Sequence, residues 1–121
     1  MTVKKKLTPT QARKARKASA HAARVKKVYG LDRAGYAAIL AHQGGRCAIC
    51  QGTRPYMLHV DHDHQTGLVR GLCCARCNKR LLPAAKDDPA ILRRAIDYLA
   101  YPPAVTALGV ALVVPSKVDP A

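Results

Sequence analysis

Two Cys-x-x-Cys pairs constrain this chain more than any other feature: Cys47-Ala48-Ile49-Cys50 and Cys74-Ala75-Arg76-Cys77. The two-residue gap lets both sulfurs of a pair reach one tetrahedral ion, and four thiolates fill a closed zinc site. Such an ion holds a fold together and has no open position for chemistry. A redox dithiol would need only one pair. The interval from Gln51 to Cys73 is slightly longer than the commonest zinc-ribbon spacing, which leaves space for a hairpin. Cys73 stands apart, because only Cys74 keeps the two-residue gap to Cys77, and it reads as a small buried thiol filling a strand position.

A staple is what this composition needs. A chain of 121 residues has room for one core plus tails, and with five Tyr, no Phe and no Trp its apolar content is largely alanine, which buries little area. There is no run of about 18 apolar residues to span a bilayer, and Met1–Lys6 lacks the apolar centre of a signal peptide. The expected location is therefore a reducing cytoplasm, where paired cysteines favour metal over disulfide.

Charge points to the partner. Against 7 acidic residues stand 21 Lys and Arg, a formal charge of +14, and a field of that sign captures extended polyanions. Nucleic acid is the leading partner, ahead of an anionic membrane surface. Met1 to Lys27 carries no acid and a dense set of Lys and Arg, an arm suited to phosphate contact. With good helix propensity but no broad apolar stripe, this arm is expected to be helical only when docked.

Further along, Asp32 sits where an N-cap begins a helix running to about Gln43, with Tyr36, Ile39 and Leu40 on one face and Gly44-Gly45 ending it. Met57 to Asp61 reads as a strand, Gln65-Thr66-Gly67 as a turn, and Leu68 to Leu72 as the returning strand. Cys77 to about Leu82 suits a short helix closed by Pro83. Asp88 then caps a second helix, with Pro89 at its first position and Ile91, Leu92, Ala95, Ile96 and Leu99 as an apolar face to lay on the rest. Pro102-Pro103 ends it, and the apolar run from Val105 to Val114 receives no assignment.

Between the cysteine pairs lies His59-Val60-Asp61-His62-Asp63-His64, five groups of metal-binding or acid–base type in six residues. Such density is costly to carry without purpose. The stretch Asp61-His62-Asp63-His64, then Gly67-Leu68-Val69-Arg70-Gly71-Leu72-Cys73-Cys74-Ala75-Arg76-Cys77-Asn78, preceded by Gly44-Gly45-Arg46-Cys47-Ala48-Ile49-Cys50, resembles the phage recombination endonuclease VII family, a branch of the HNH nucleases. The likeness covers roughly Tyr29 to Leu82, and it departs from the family at Cys73, where leucine is usual.

That resemblance implies an α+β, zinc-stapled ββα-metal (HNH, His-Me finger) domain with flanking helices and a basic N-terminal arm. It divides the chain into the arm at 1–28, the nuclease domain at 29–101 and a tail of unknown role at 102–121. By position, Asp61 and Asn78 would hold a catalytic divalent ion, His62 would be the general base and His64 a supporting catalytic residue. The chemistry agrees: Asp and Asn offer hard oxygen ligands suited to Mg2+ or Mn2+, and a neutral imidazole takes a proton from water near pH 7. Arg70 faces two readings, a phosphate contact or a solvated strand arginine. Arg46, Arg54, Arg76, Lys79 and Arg80 surround the motif as phosphate contacts, His59 is more structural than ligating, and Asp63 braces the loop.

One geometric condition follows. Successive side chains on a regular strand point to opposite faces, so Asp61 and His62 share a site only if the strand ends or bends there. The expected activity is hydrolysis of phosphodiester bonds in duplex or branched DNA, with four-way junction resolution among the substrates the resemblance suggests. A zinc-dependent DNA-binding module without catalysis is the alternative. A monomer can nick, whereas a cut through both strands calls for two active sites, so a homodimer is one arrangement open to the chain.

Overall fold

In the computed structural model, which describes residues 5–117, the chain runs α1 (Pro9–Tyr29), α2 (Arg33–His42), β1 (His59–His62), β2 (Val69–Cys73), a π-helical turn (Cys77–Leu81), α3 (Leu82–Ala84), α4 (Pro89–Ala100) and α5 (Pro103–Leu108), then a 3-10 turn at Pro115–Lys117. Helices with a two-stranded antiparallel sheet make this an α+β protein. It divides into two compact units between Arg80 and Leu81, inside the 29–101 segment read from the sequence as one domain.

Most of the basic arm is helix; its residues Met1–Lys4 lie outside the described residues, as do Val118–Ala121 of the tail. Thr8 starts α1 with a capping box: its hydroxyl accepts from the Gln11 N–H at 3.1 Å, and the Gln11 side chain accepts from the Thr8 N–H at 2.9 Å. Pro9 occupies the first turn, and Gly30 ends the helix in the left-handed region at φ 70°. Thr8-Pro9-Thr10-Gln11 carries this signal in the sequence, and the pattern was legible there. The far end of the helix is docked, with Val25 buried and Tyr29 packed on the core.

The core of the first unit joins Val25, Tyr36, Leu58, Val60 and Leu72 to the buried sulfurs of Cys47, Cys73, Cys74 and Cys77. This is a small core with cysteine in place of aromatics, as the composition requires. Asp32 caps α2 by accepting from the Gly35 N–H at 2.8 Å, and Gly44 and Gly45 leave the helix with φ of 69° and 75°. From α2, the Tyr36 hydroxyl donates to the Leu58 carbonyl at 2.7 Å. The strand pairing therefore begins after Leu58, two residues later than the hydrophobic run suggests.

β1 pairs with β2 in the register His59 with Cys73, Val60 with Leu72 and Asp61 with Gly71, but His62 faces Val69. Arg70 is thus an extra residue on β2, a bulge between Asp61 and His62. The irregularity lies on the partner strand, while β1 itself runs through both Asp61 and His62 and ends at His62. The hairpin loop is built on Asp63, whose carboxylate accepts from the N–H groups of Gln65 and Thr66 at 2.7 and 3.0 Å, and Gly67 turns at φ 77°.

Two expectations for the second unit are corrected. Pro83 lies within α3 instead of closing the preceding helix, as the first-turn position tolerates proline. Asp88 does cap α4, accepting from the Ala90 N–H at 2.9 Å, but the apolar face is not covered along its length: Ile96 and Leu99 are 65% and 78% exposed. The unassigned run forms α5 and an extended stretch in which Val110, Leu112, Val113 and Val114 are exposed.

Candidate metal centre and active site

The ligand atoms of Cys47, Cys50, Cys74 and Cys77 all lie within 4.8 Å of one another, and the Cys50 and Cys74 sulfurs are 3.7 Å apart. Tetrahedral zinc at about 2.3 Å from each sulfur needs sulfur–sulfur separations of about 3.8 Å, so this set fits the ion. The first pair comes from the loop after α2, and the second from the end of β2 and the helical turn behind it. The Ala48 N–H donates to the Leu72 carbonyl at 3.1 Å, tying the first knuckle to the hairpin.

Backbone and guanidinium donors surround these sulfurs. The Cys74 N–H points at the Cys47 sulfur and the Gly52 N–H at the Cys50 sulfur, both at 3.4 Å. Burial works against charge at Cys47, yet the N–H groups of Cys74, Ile49 and Cys50 and the thiol of Cys50 bring its thiol down to about 6. At Cys74 the Cys77 N–H is the main cause of a lowered value. Arg54, read from the sequence as a phosphate contact, instead places its guanidinium 3.6 Å from the Cys50 sulfur and 3.7 Å from that of Cys74, where it offsets thiolate charge. Arg46 likewise braces its own loop, donating to the Gln51 carbonyl at 3.3 Å. Cys73 is outside the cluster: burial pushes its thiol up to about 12, so it stays protonated in the core.

The titratable cluster of the hairpin lies at the bulge. Asp61 is buried at 6% exposure, and both its oxygens are taken by one side chain: Arg70 Nε donates to Oδ2 at 2.7 Å and its NH2 group to Oδ1 at 3.0 Å. In an unbroken ladder Gly71, opposite Asp61, would share its face and Arg70 would point away. The extra residue re-aims Arg70 onto the carboxylate, so Arg70 is an ion-pair partner and not the solvated strand arginine that is one reading of the sequence.

His62 ends β1 half-buried, its ring 4.9 Å from that of His64 and 5.5 Å from that of Tyr29 on α1. Nothing in the sequence around Tyr29 signals that contact, which arises from the docking of α1. His59 packs by Tyr56 at 5.9 Å; burial first, then the positive charges of Lys79, His21 and Arg24, lower its pKa below the ordinary 6.5 and so favour the neutral imidazole. Asn78 is half-buried in the π-helical turn directly after Cys77. Among the described residues no hydrogen bond joins its side chain to Asp61 or His62. Arg76, Lys79 and Arg80 are exposed around that turn.

The α1 surface adds a basic stripe that the sequence reading did not resolve into a face. Arg13, Arg16, Lys17, Arg24 and Lys27 recur at helical spacing and are all exposed, on the side away from buried Val25. Among the described residues no helix is long and apolar enough to cross a membrane.

A sequence profile of the recombination endonuclease VII family matches residues 22–101. Gene 59 protein of Mycobacterium phage D29 is 50% identical over 98 residues, which cover 78% of this chain and 59% of that protein. Gene 59 protein of Mycobacterium phage L5 is 46% identical over 99 residues, covering 80% of this chain and 60% of that protein. The chain thus spans about three-fifths of the length of these curated relatives. No solved structure matches.

Proposed function

The chain belongs to the recombination endonuclease VII family, and from that premise we propose that it is a zinc-stapled, divalent-metal-dependent DNA endonuclease that hydrolyses phosphodiester bonds. The single observation that carries this reading is the histidine pair at the end of the hairpin strand: His62 directly follows buried Asp61, and its ring lies 4.9 Å from that of His64.

In this reading Asp61 and Asn78 hold Mg2+ or Mn2+, since a carboxylate and an amide oxygen form the hard donor set such ions take. The bound ion supplies Lewis-acid stabilisation of charge on the phosphate and the departing sugar oxygen. His62 takes the proton of the attacking water, and His64, with its ring 4.9 Å away, orients or relays for it. Zinc at the four cysteines fixes the hairpin and the Asn78 turn and takes no part in the chemistry. The α1 stripe, with Arg76, Lys79 and Arg80, follows the DNA backbone by charge.

One observation favours the second reading, a DNA-binding module without catalysis: the Asp61 carboxylate is already fully engaged by Arg70. Incubating the zinc-loaded chain with supercoiled plasmid or a four-way junction and Mg2+ or Mn2+ separates the two. Nicked or cut product is expected, and it should disappear in His62→Ala. A parent inert on both substrates favours the binding module, and nicking by His62→Ala at the parent rate removes His62 from its role.

A further inference from the structure

Asp61 is a buried carboxylate, and a buried carboxylate without a positive partner is strongly disfavoured. In this fold the partner is Arg70, bound through two donors at 2.7 and 3.0 Å to both oxygens. The functional reading assigns the same carboxylate to a divalent ion. Holding both together would place a guanidinium and a doubly charged ion side by side against one negative charge. The bidentate fork also uses the planar acceptor face that an ion would approach.

Building this pair required a specific distortion. Arg70 reaches Asp61 because it is the extra residue of the bulge, next to Gly71, which pairs with Asp61. A residue inserted so as to reach one carboxylate from the neighbouring strand is a built counter-charge. Its side chain remains 29% exposed while that of Asp61 is 8% exposed, so the arginine, and not the aspartate, has a route outward.

Resting on the endonuclease reading, we propose that Arg70 is an exchangeable counter-cation: it occupies Asp61 in the metal-free protein, leaves that carboxylate when the divalent ion binds, and turns to a DNA phosphate. The carboxylate stays compensated throughout, first by arginine and then by the ion. The released fork needs an anion with paired oxygens, and a backbone phosphate supplies one. Metal and DNA therefore assist each other: the phosphate draws Arg70 away from the site the ion needs, and the ion frees the arginine that the phosphate takes. By linkage that assistance is reciprocal. Arg70 is in this sense a positioning residue for the metal site as well as a DNA contact.

The test uses the full zinc-loaded chain and reads binding, not turnover. The NMR resonance of the Arg70 Nε–H, hydrogen-bonded in the metal-free protein, is followed through a Mg2+ titration, and Mn2+ affinity is measured by the electron paramagnetic resonance of the free ion. The resonance should move to the position of a solvated arginine as Mg2+ saturates, and Arg70→Gln should bind Mn2+ about tenfold more tightly, since the competing occupant is gone. Arg70→Lys keeps the charge but loses the bidentate fork; should Arg70→Gln not fold without metal, the lysine variant carries the affinity test, with tighter Mn2+ binding expected. Asp61→Asn should release the arginine resonance without metal and lose the Mn2+ site. An ion that depends on Asp61 yet leaves the Arg70 resonance unmoved, or binds no tighter in the folded variant, overturns the exchange alone. Mn2+ binding to Asp61→Asn as tightly as to the parent sinks the metal-site reading and takes the exchange with it.

Discussion

The side chain of Gln43 pairs with both backbone polar groups of Leu72: its amide NH2 donates to the Leu72 carbonyl and its oxygen accepts from the Leu72 N–H, each at 2.9 Å. A side-chain amide at the end of α2 thus stands in for the next strand of the sheet. The same NH2 group also donates to the Arg46 carbonyl at 2.8 Å, which fixes the approach to the first cysteine pair. Gly71 is part of the arrangement, because a Cβ there would lie 3.2 Å from the Gln43 oxygen.

Replacing Gln43 with alanine should therefore cost about 2 kcal/mol, because it leaves the N–H of fully buried Leu72 without this partner and its carbonyl with the Ala48 N–H alone. Urea unfolding of the zinc-loaded protein measures this. A loss within a few tenths of a kcal/mol, the scale of an ordinary surface substitution, would mean that water replaces the amide without penalty.

Metal removal should unfold the first unit, since four of its buried or knuckle positions are thiols whose proximity only an ion makes favourable. Circular dichroism during chelation should show loss of structure, and Cys74→Ala should behave like the chelated protein. Cys73→Ala is the control, because Cys73 is protonated and outside the cluster. It should keep its zinc and lose about 1 kcal/mol from the small cavity. Loss of zinc from Cys73→Ala would show that the ligand set is wrong.

His59 gives a pH dependence with a definite sign. Its folded pKa lies below the ordinary 6.5, chiefly through burial and then through Lys79, His21 and Arg24, so the unfolded chain binds the proton more readily. Stability from this group is present above that value and is lost as pH falls through the folded pKa. His21, lowered by burial and Arg24, acts in the same direction. Unfolding free energies of the zinc-loaded protein should drop as pH falls below the ordinary histidine value and through the lowered folded one, and His59→Asn should flatten that slope. An unchanged slope would assign the drop elsewhere.

The stripe on α1 should govern salt dependence. Replacing Arg13, Arg16 and Lys17 together with alanine should weaken DNA binding across all sequences and reduce the slope of log affinity against log salt by about 2 to 3. Fluorescence anisotropy over a range of salt concentrations checks it. An unaltered slope would show that this face does not touch the backbone.

Ligand identity was legible in the chain itself, because spacing suffices: Cys47, Cys50, Cys74 and Cys77 can meet on one ion whatever surrounds them, and the structure brings them within 4.8 Å. The caps at Asp32 and Asp88 and the Gly44-Gly45 exit were equally local, resting on one side chain and the backbone beside it. Relations between distant segments were not. The bulge that turns Arg70 onto Asp61, the strand-like pairing of Gln43 with Leu72, the contact of Tyr29 with His62 and the capture of Arg54 by the cysteine sulfurs each join segments whose meeting depends on how the elements dock. An arginine looks the same in a sequence whether it faces solvent, a phosphate or a buried carboxylate. Which of these it meets is an electrostatic choice made only after the strands are in register and water has been excluded from Asp61.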